Sequence, residues 1–261
     1  MTMAATRVLP LSGVHNFRDY GGYAVAGGGR LRHGMLWRSA QHETASDEDL
    51  AAIDALELET VIDLRGDDER ALHPCRRSER FSARVLFAGG VTAGLAPHLQ
   101  AARGTIDLAT ARARMIDTYA GMPYRPALVA TLRLYLAALA ATDAPSLVHC
   151  VAGKDRTGFA VAVVHRLLGV HEDDLMHDYL LTNSAGKIEE RIAQGGAHIR
   201  ARYGGDIPDD AVRALMSVNP AYLDAALATV RRDHGDVATY AETVLNLTPA
   251  MREAMMERLL V

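Results

Sequence analysis

The chain of 261 residues is 49% hydrophobic, enough for a single large domain over 1–261. Its formal charge of -4 and pI near 6.3 argue against nucleic acid as its partner. Its two cysteines, Cys75 and Cys150, offer neither a disulfide framework nor a zinc spacing, so a reducing, cytoplasmic setting is expected. The first twenty or so residues hold no sustained apolar stretch of signal-peptide type, and no run of about 18 apolar residues predicts a transmembrane segment.

Taken in chain order, the stretch up to Gly29 is Gly-rich and turn-like, and Met35 to Trp37 predicts a short strand. The segment SDEDLAAIDALEL predicts a helix: Ser46 is a good N-cap, Asp49 stands at the capping-box position, and Leu50, Ile53 and Leu56 share a face. Thr60 to Leu64 predicts a buried strand that ends in charged turn chemistry, GDDER, and ARVLFAGG predicts another. Between Val91 and Pro123 the pattern supports a helix over Ile106 to Tyr119. RPALVATLRLYLAALA predicts a second, with Pro126 at its start. DAPSLVHC is a turn and a short apolar strand. GFAVAVVHRLLGV is apolar nearly all round, predicting a buried helix stopped by Gly169. DDLMHDYLLTNS is helical, the polar, Gly-punctuated stretch after it is expected to be mobile, and the last third is helical, with Thr248 and Pro249 opening the final helix. Strands alternating with helices predict an α/β, three-layer fold: a central, mostly parallel sheet flanked by helices. Such sheets bind ligands at the carboxyl ends of their strands, where Cys150 falls.

The chemistry concentrates in HCVAGKDRTG. A loop at a helix N-terminus turns the backbone N–H groups of Val151, Ala152, Gly153 and Lys154 towards an anion. Gly153 allows close approach, and Arg156 adds a planar fork for phosphate oxygens. A thiol in that positive field is favoured as thiolate. Cys150 is therefore expected to attack phosphorus, forming a phosphocysteine that water hydrolyses. His149 is placed to orient the loop from behind, and Thr157 to donate a hydrogen bond to Cys150. No metal or other cofactor is expected, because the loop and Arg156 supply the positive charge. Cys75 lacks the pattern, since Phe81 stands six positions on.

HCVAGKDRTG resembles the phosphate-binding loop of the cysteine-dependent protein tyrosine phosphatase superfamily. It is most similar to the bacterial branch of atypical tyrosine and dual-specificity phosphatases that also act on phosphoinositides. NFRDYGGY, LWRSA and VIDLRGDDER are similar to that branch's recurring segments, in the same order. The resemblance implies Cys150 as nucleophile, Arg156 as phosphate ligand, and a phosphorylated protein or a phosphoinositide as substrate, with phosphotyrosine preferred. It implies a head-group contact for Lys154, the plain alternative being a solvated loop charge. It also implies a helical, lid-like insertion within about 186–212, the alternative being a surface hairpin.

The leaving oxygen needs a general acid. Asp155, within the loop, is preferred over Asp63 at the end of VIDLR, which is expected to pair with Arg65. Arg18 and Asp19 are expected in structural ion pairs, His165 as a satisfied core histidine, and Cys75 as a bystander thiol. A catalytically weak module that binds a phosphorylated partner is the second reading. Retention of Cys150, Arg156 and Thr157 argues against it. A thiol redox enzyme such as an arsenate reductase would need a further cysteine relay, and only Cys75 is available.

Overall fold

The computed structural model describes residues 7–90, 107–185, 188–203 and 207–261. Its sheet has five strands, β1 Arg18–Asp19, β2 Leu36–Ser39, β3 Thr60–Asp63, β4 Arg84–Leu86 and β5 Ser146–His149, in the spatial order β1-β2-β5-β3-β4. Only the β1–β2 pair is antiparallel. The register sets Ser39 and Asp63 on either side of His149. Three strands thus end together, with Cys150 leaving the middle one.

The connections are helical: α1 Asp47–Asp54 between β2 and β3, α2 Asp67–Leu72 between β3 and β4, then α3 Leu108–Ala120 and α4 Pro126–Ala141 before β5. Alternation along the strands creates the layers. Val61 and Leu147 face Leu50 and Ile53 of α1 on one side, while Ile62 and Val148 face the main core on the other. That core takes in α3, α4 and the helices that follow β5: α5 Asp155–Leu167, α6 Glu172–Leu180, α7 Thr182–Ala185, α8 Ile188–Tyr203, α9 Asp209–Met216, α10 Pro220–His234, α11 Val237–Thr243 and α12 Pro249–Leu259. The three-layer α/β fold, with a central, mostly parallel sheet, is the one expected from sequence.

Local chemistry accounts for the boundaries. Ser46 Oγ accepts from Asp49 N at 3.1 Å and the Asp49 carboxylate accepts from Ser46 N at 3.1 Å, the expected capping box. Asp49 also accepts from Ser12 N and Gly13 N, which ties the N-terminal segment to α1. Pro126 opens α4, and Thr248 caps α12 by accepting from Met251 N. The expected helix start at Ile106 lies outside the described residues, as do residues 1–6 of the N-terminal segment.

One expectation is corrected. GDDER is not only a turn: Asp67, Asp68 and Glu69 fill the first turn of α2, where acidic side chains favour a helix N-terminus. In the polar stretch after Ala185, the resemblance implied a helical insertion. From Ile188 it forms a helix of 16 residues. Gly195 and Gly196 are contact points in it: a Cβ would stand 2.6 Å from Met216 Cε at one and 3.0 Å from Val212 Cγ1 at the other. Residues 186–187 and 204–206 of the expected lid lie outside the described residues.

Candidate active site

Cys150 follows the central strand and is buried, 2% exposed. Between it and α5 the chain turns through Val151, Ala152, Gly153 and Lys154. Gly153 has φ +61°, and a Cβ there would lie 2.3 Å from Ser39 O. The loop therefore runs flush against the end of β2, and only glycine fits.

The Gly153 carbonyl accepts from Asn16 Nδ2 at 2.7 Å and from Arg38 Nη2 at 3.0 Å. Arg38 in turn donates to Asp178 at 2.6 Å, and Arg18 Nε donates to the other Asp178 oxygen at 3.0 Å. All three side chains are buried. Burial alone would raise the Asp178 carboxyl, but Arg18 and Arg38 outweigh it and hold it well below the usual carboxylate range. Arg18 thus serves a structural ion pair, though not with its neighbour Asp19, which accepts from Gly21 N, Gly34 N and His33.

Arg156 is gripped at two points: Nη1 donates to Glu69 Oε2 at 2.5 Å and Nη2 to Glu69 Oε1 at 2.9 Å. Nη1 also reaches Leu64 O at 3.2 Å, and Nε has no hydrogen-bond partner among the described residues. Burial would lower its pKa, but the charges of Glu69 and Cys150 raise it, so the guanidinium sits in the field of the thiol. The sequence reading missed Glu69. The signal was an acidic cluster directly after the carboxyl end of a buried strand.

Lys154 is neither a solvated loop charge nor turned to open space. It is fully buried, and its Nζ donates to Asp155 Oδ1 at 2.7 Å, Leu215 O at 3.1 Å and Ser217 O at 3.2 Å. An ammonium has three donors, and all three are committed. Asp155 Oδ1 also accepts from the Tyr119 hydroxyl at 2.8 Å, and that hydroxyl lies 2.8 Å from Tyr179 Oη.

Behind the loop, His149 is buried, stacked on His42 at a centroid distance of 5.4 Å, with Nδ1 3.4 Å from Cys150 O. Burial pushes it down to about 4 despite Asp63 nearby. Asp63 accepts from Arg65 Nε at 2.9 Å and Nη2 at 2.8 Å, which is the expected structural pair. Burial would raise its carboxyl, but His149 and Arg65 hold it low. The Thr157 hydroxyl is buried without a hydrogen-bond partner among the described residues, so the expected bond to Cys150 is not formed. His165 is buried in the core, with Nε2 2.9 Å from Tyr20 O.

Cys75 Sγ accepts from His42 N at 3.4 Å, and both cysteines are free thiols. A groove of about 1180 Å³ lies between α1 and residues 76–83, and none of the Cys150 loop residues lines it. Among the described residues no helix is long and apolar enough to cross a membrane.

The mostly parallel sheet sets the buried Cys150 at the end of its central strand and the buried Arg156 in the first turn of the helix that follows. The family model described as the tyrosine phosphatase family matches residues 9–261, and the chain belongs to that family, as a protein-tyrosine phosphatase. It is 33% identical over 243 residues to a Cupriavidus necator chain provisionally named a tyrosine-protein phosphatase, covering 91% of this chain and 84% of that one. It is 30% identical over 267 residues to the triple specificity protein phosphatase PtpB of Mycobacterium tuberculosis, covering 90% and 92%. Among solved structures, P. aeruginosa TpbA aligns at 19% identity and a TM-score of 0.30, covering 74% of this chain and 96% of that one.

Proposed function

We propose that the chain hydrolyses phosphate monoesters, phosphotyrosine first, in two steps through a phosphocysteine on Cys150. The observation that carries this reading is the cradle itself. Cys150 is buried at the end of β5 under a loop fixed by Gly153, beside a guanidinium that Glu69 grips by both Nη atoms while Nε is left for an anion. In the first step Cys150 Sγ bonds to phosphorus, the P–O ester bond breaks, and Asp155 passes its proton to the leaving oxygen. In the second, water attacks phosphorus, the P–S bond breaks, and Asp155 takes the water's proton while the thiolate leaves. The N–H groups of Val151, Ala152, Gly153 and Lys154, with Arg156, hold the equatorial oxygens in both steps.

Asp155 is preferred to Asp63 as acid because it stands in the phosphate loop beside Arg156, while Asp63 ends β3 and is tied to Arg65. His149 acts as a neutral support behind the loop. For Thr157 the role assigned is to donate its free hydroxyl to the sulfur once the thiolate forms. Lys154 acts by closing the loop onto α9, and we assign α8 and α9 as the helical cover of the site.

Kinship to a relative named for triple specificity supports activity beyond phosphotyrosine, with phosphoserine, phosphothreonine and phosphoinositides as the classes to assay. The deciding experiment is hydrolysis of an aryl phosphate, with a chelator present, by wild type and Cys150→Ser. Turnover that survives the chelator and disappears in the variant supports the reading; equal turnover in both overturns it.

A further inference from the structure

We propose that Arg191 is a substrate-binding residue: from α8 it sets a second guanidinium over the phosphoryl group held at Cys150. This rests on the phosphatase reading above and extends it to a residue outside the loop.

The placement of α8 comes first. Glu189 in its first turn accepts from Arg213 Nη1 at 2.8 Å and Nη2 at 2.7 Å, and Gly195 and Gly196 seat the helix against Met216 and Val212. All of these partners belong to α9, whose last turn supplies Leu215 O to the Lys154 ammonium, as Ser217 O does just beyond it. A continuous set of contacts therefore fixes the start of α8 relative to the phosphate loop.

Arg191 lies two residues beyond Glu189. Its Nη1 is buried with no hydrogen-bond partner among the described residues. A buried guanidinium donor left unpaired is costly, and such exceptions collect at functional sites. The charges that act on it are also defined. Burial lowers its pKa, while the charges of Asp155 and Cys150 raise it, and Arg191 in turn lowers the Lys154 ammonium. Arg191 therefore stands within electrostatic reach of the loop.

The other cations around Cys150 are engaged at most of their donors, Arg156 keeping Nε. Lys154 has three acceptors, Arg156 gives both Nη atoms to Glu69, and Arg38 holds Asp178 and Gly153 O. Beside Arg156 Nε, Arg191 Nη1 is a further unpaired donor that can meet a dianion, and a planar guanidinium suits phosphate oxygens.

The test uses the full chain with Arg191→Gln and Arg191→Lys, tungstate as the oxyanion probe by calorimetry, and steady-state kinetics on an aryl phosphate. Loss of a charge-assisted hydrogen bond to the anion is expected to raise tungstate Kd and KM together by about tenfold in Arg191→Gln, with a smaller rise in Arg191→Lys and little change in kcat. The ligand-free melting temperature should not fall, because an unpaired buried cation has been removed. Wild-type tungstate affinity and KM in both variants, with Cys150→Ser inactive, would overturn this inference and leave the phosphatase reading standing. An inactive wild type would remove that reading, and the tungstate comparison would still decide Arg191. A change confined to a bisphosphorylated inositol head group, with tungstate unaffected, would also overturn the proposal, because Arg191 would then serve a second anion. Should Arg191→Gln fail to fold, Arg191→Lys carries the same comparison.

Discussion

Glu69 and Arg156 form a two-point buried ion pair, with contacts of 2.5 Å and 2.9 Å, across 87 residues of sequence. The pair keeps the plane of the guanidinium fixed before any substrate arrives. Glu69→Gln retains the shape and removes the charge. Breaking one side of a buried pair should cost about 3 kcal/mol of stability. Loss of Arg156 orientation should lower kcat/KM on an aryl phosphate by roughly 100-fold. Denaturant unfolding and steady-state kinetics measure both, and unchanged kcat/KM would deny Glu69 its orienting role.

Gly153→Ala should be severe. Its Cβ would meet Ser39 O at 2.3 Å, at a φ of +61° that side chains other than glycine rarely adopt. The loop must shift away from β2 and lose the Asn16 and Arg38 bonds to its carbonyl. A displacement near 1 Å costs on the order of 100-fold in rate. A variant that folds, binds tungstate and turns over like wild type would show that the close approach is unnecessary.

Lys154→Met separates a clasp from a head-group contact. It removes three hydrogen bonds and leaves Asp155 short of a buried partner. Stability should fall by about 3 kcal/mol. KM for phosphotyrosine and for a phosphoinositide should change by the same factor. A loss confined to the phosphoinositide would return Lys154 to the substrate.

Asp155→Asn tests the general acid through the leaving group. A poor leaving oxygen needs the proton most, so the rate should fall about 100-fold or more on phosphotyrosine and markedly less on an activated nitrophenyl ester. Because Asp155 also holds Lys154 and Tyr119, some loss common to all substrates is expected. Equal losses on both esters would leave it a structural carboxylate.

Acid stability should reflect His149. Its folded pKa is pushed down to about 4 from an ordinary 6.5, with burial as the largest cause. The unfolded chain therefore binds more protons between these values. The stabilisation is complete above pH 6.5 and is lost as pH falls towards 4, on the order of 3 kcal/mol. His42, stacked on it, is lowered as well and acts in the same direction. Unfolding free energies between pH 7 and 4 should show this slope, and His149→Gln should flatten it.

The sequence alone determined the α/β layering and singled out Cys150 and Arg156, because each rests on local signals. Apolar strand, glycine loop and helix follow one another between Ser146 and Leu167, and their chemistry needs no distant partner to be recognised. The Ser46 capping box and the Pro126 helix start were legible for the same reason. The GDDER helix was not, and α8 was expected only through the resemblance. In α8 an exposed, Gly-punctuated pattern hides a face whose glycines make room for Met216 and Val212.

Tertiary structure decided the partners. The order β2-β5-β3 brings three strand ends together, so Ser39, Asp63 and His149 become neighbours and Arg38 can reach Gly153. The acceptors of Lys154 beyond Asp155 are backbone carbonyls, which every residue carries and no motif announces. Arg191 reads in sequence as one more helical arginine, and only the packing of α8 on α9 brings it within reach of the loop's charges. Chain order specifies what each residue can do chemically; the pairing of strands and helices far apart in sequence selects which charge meets which.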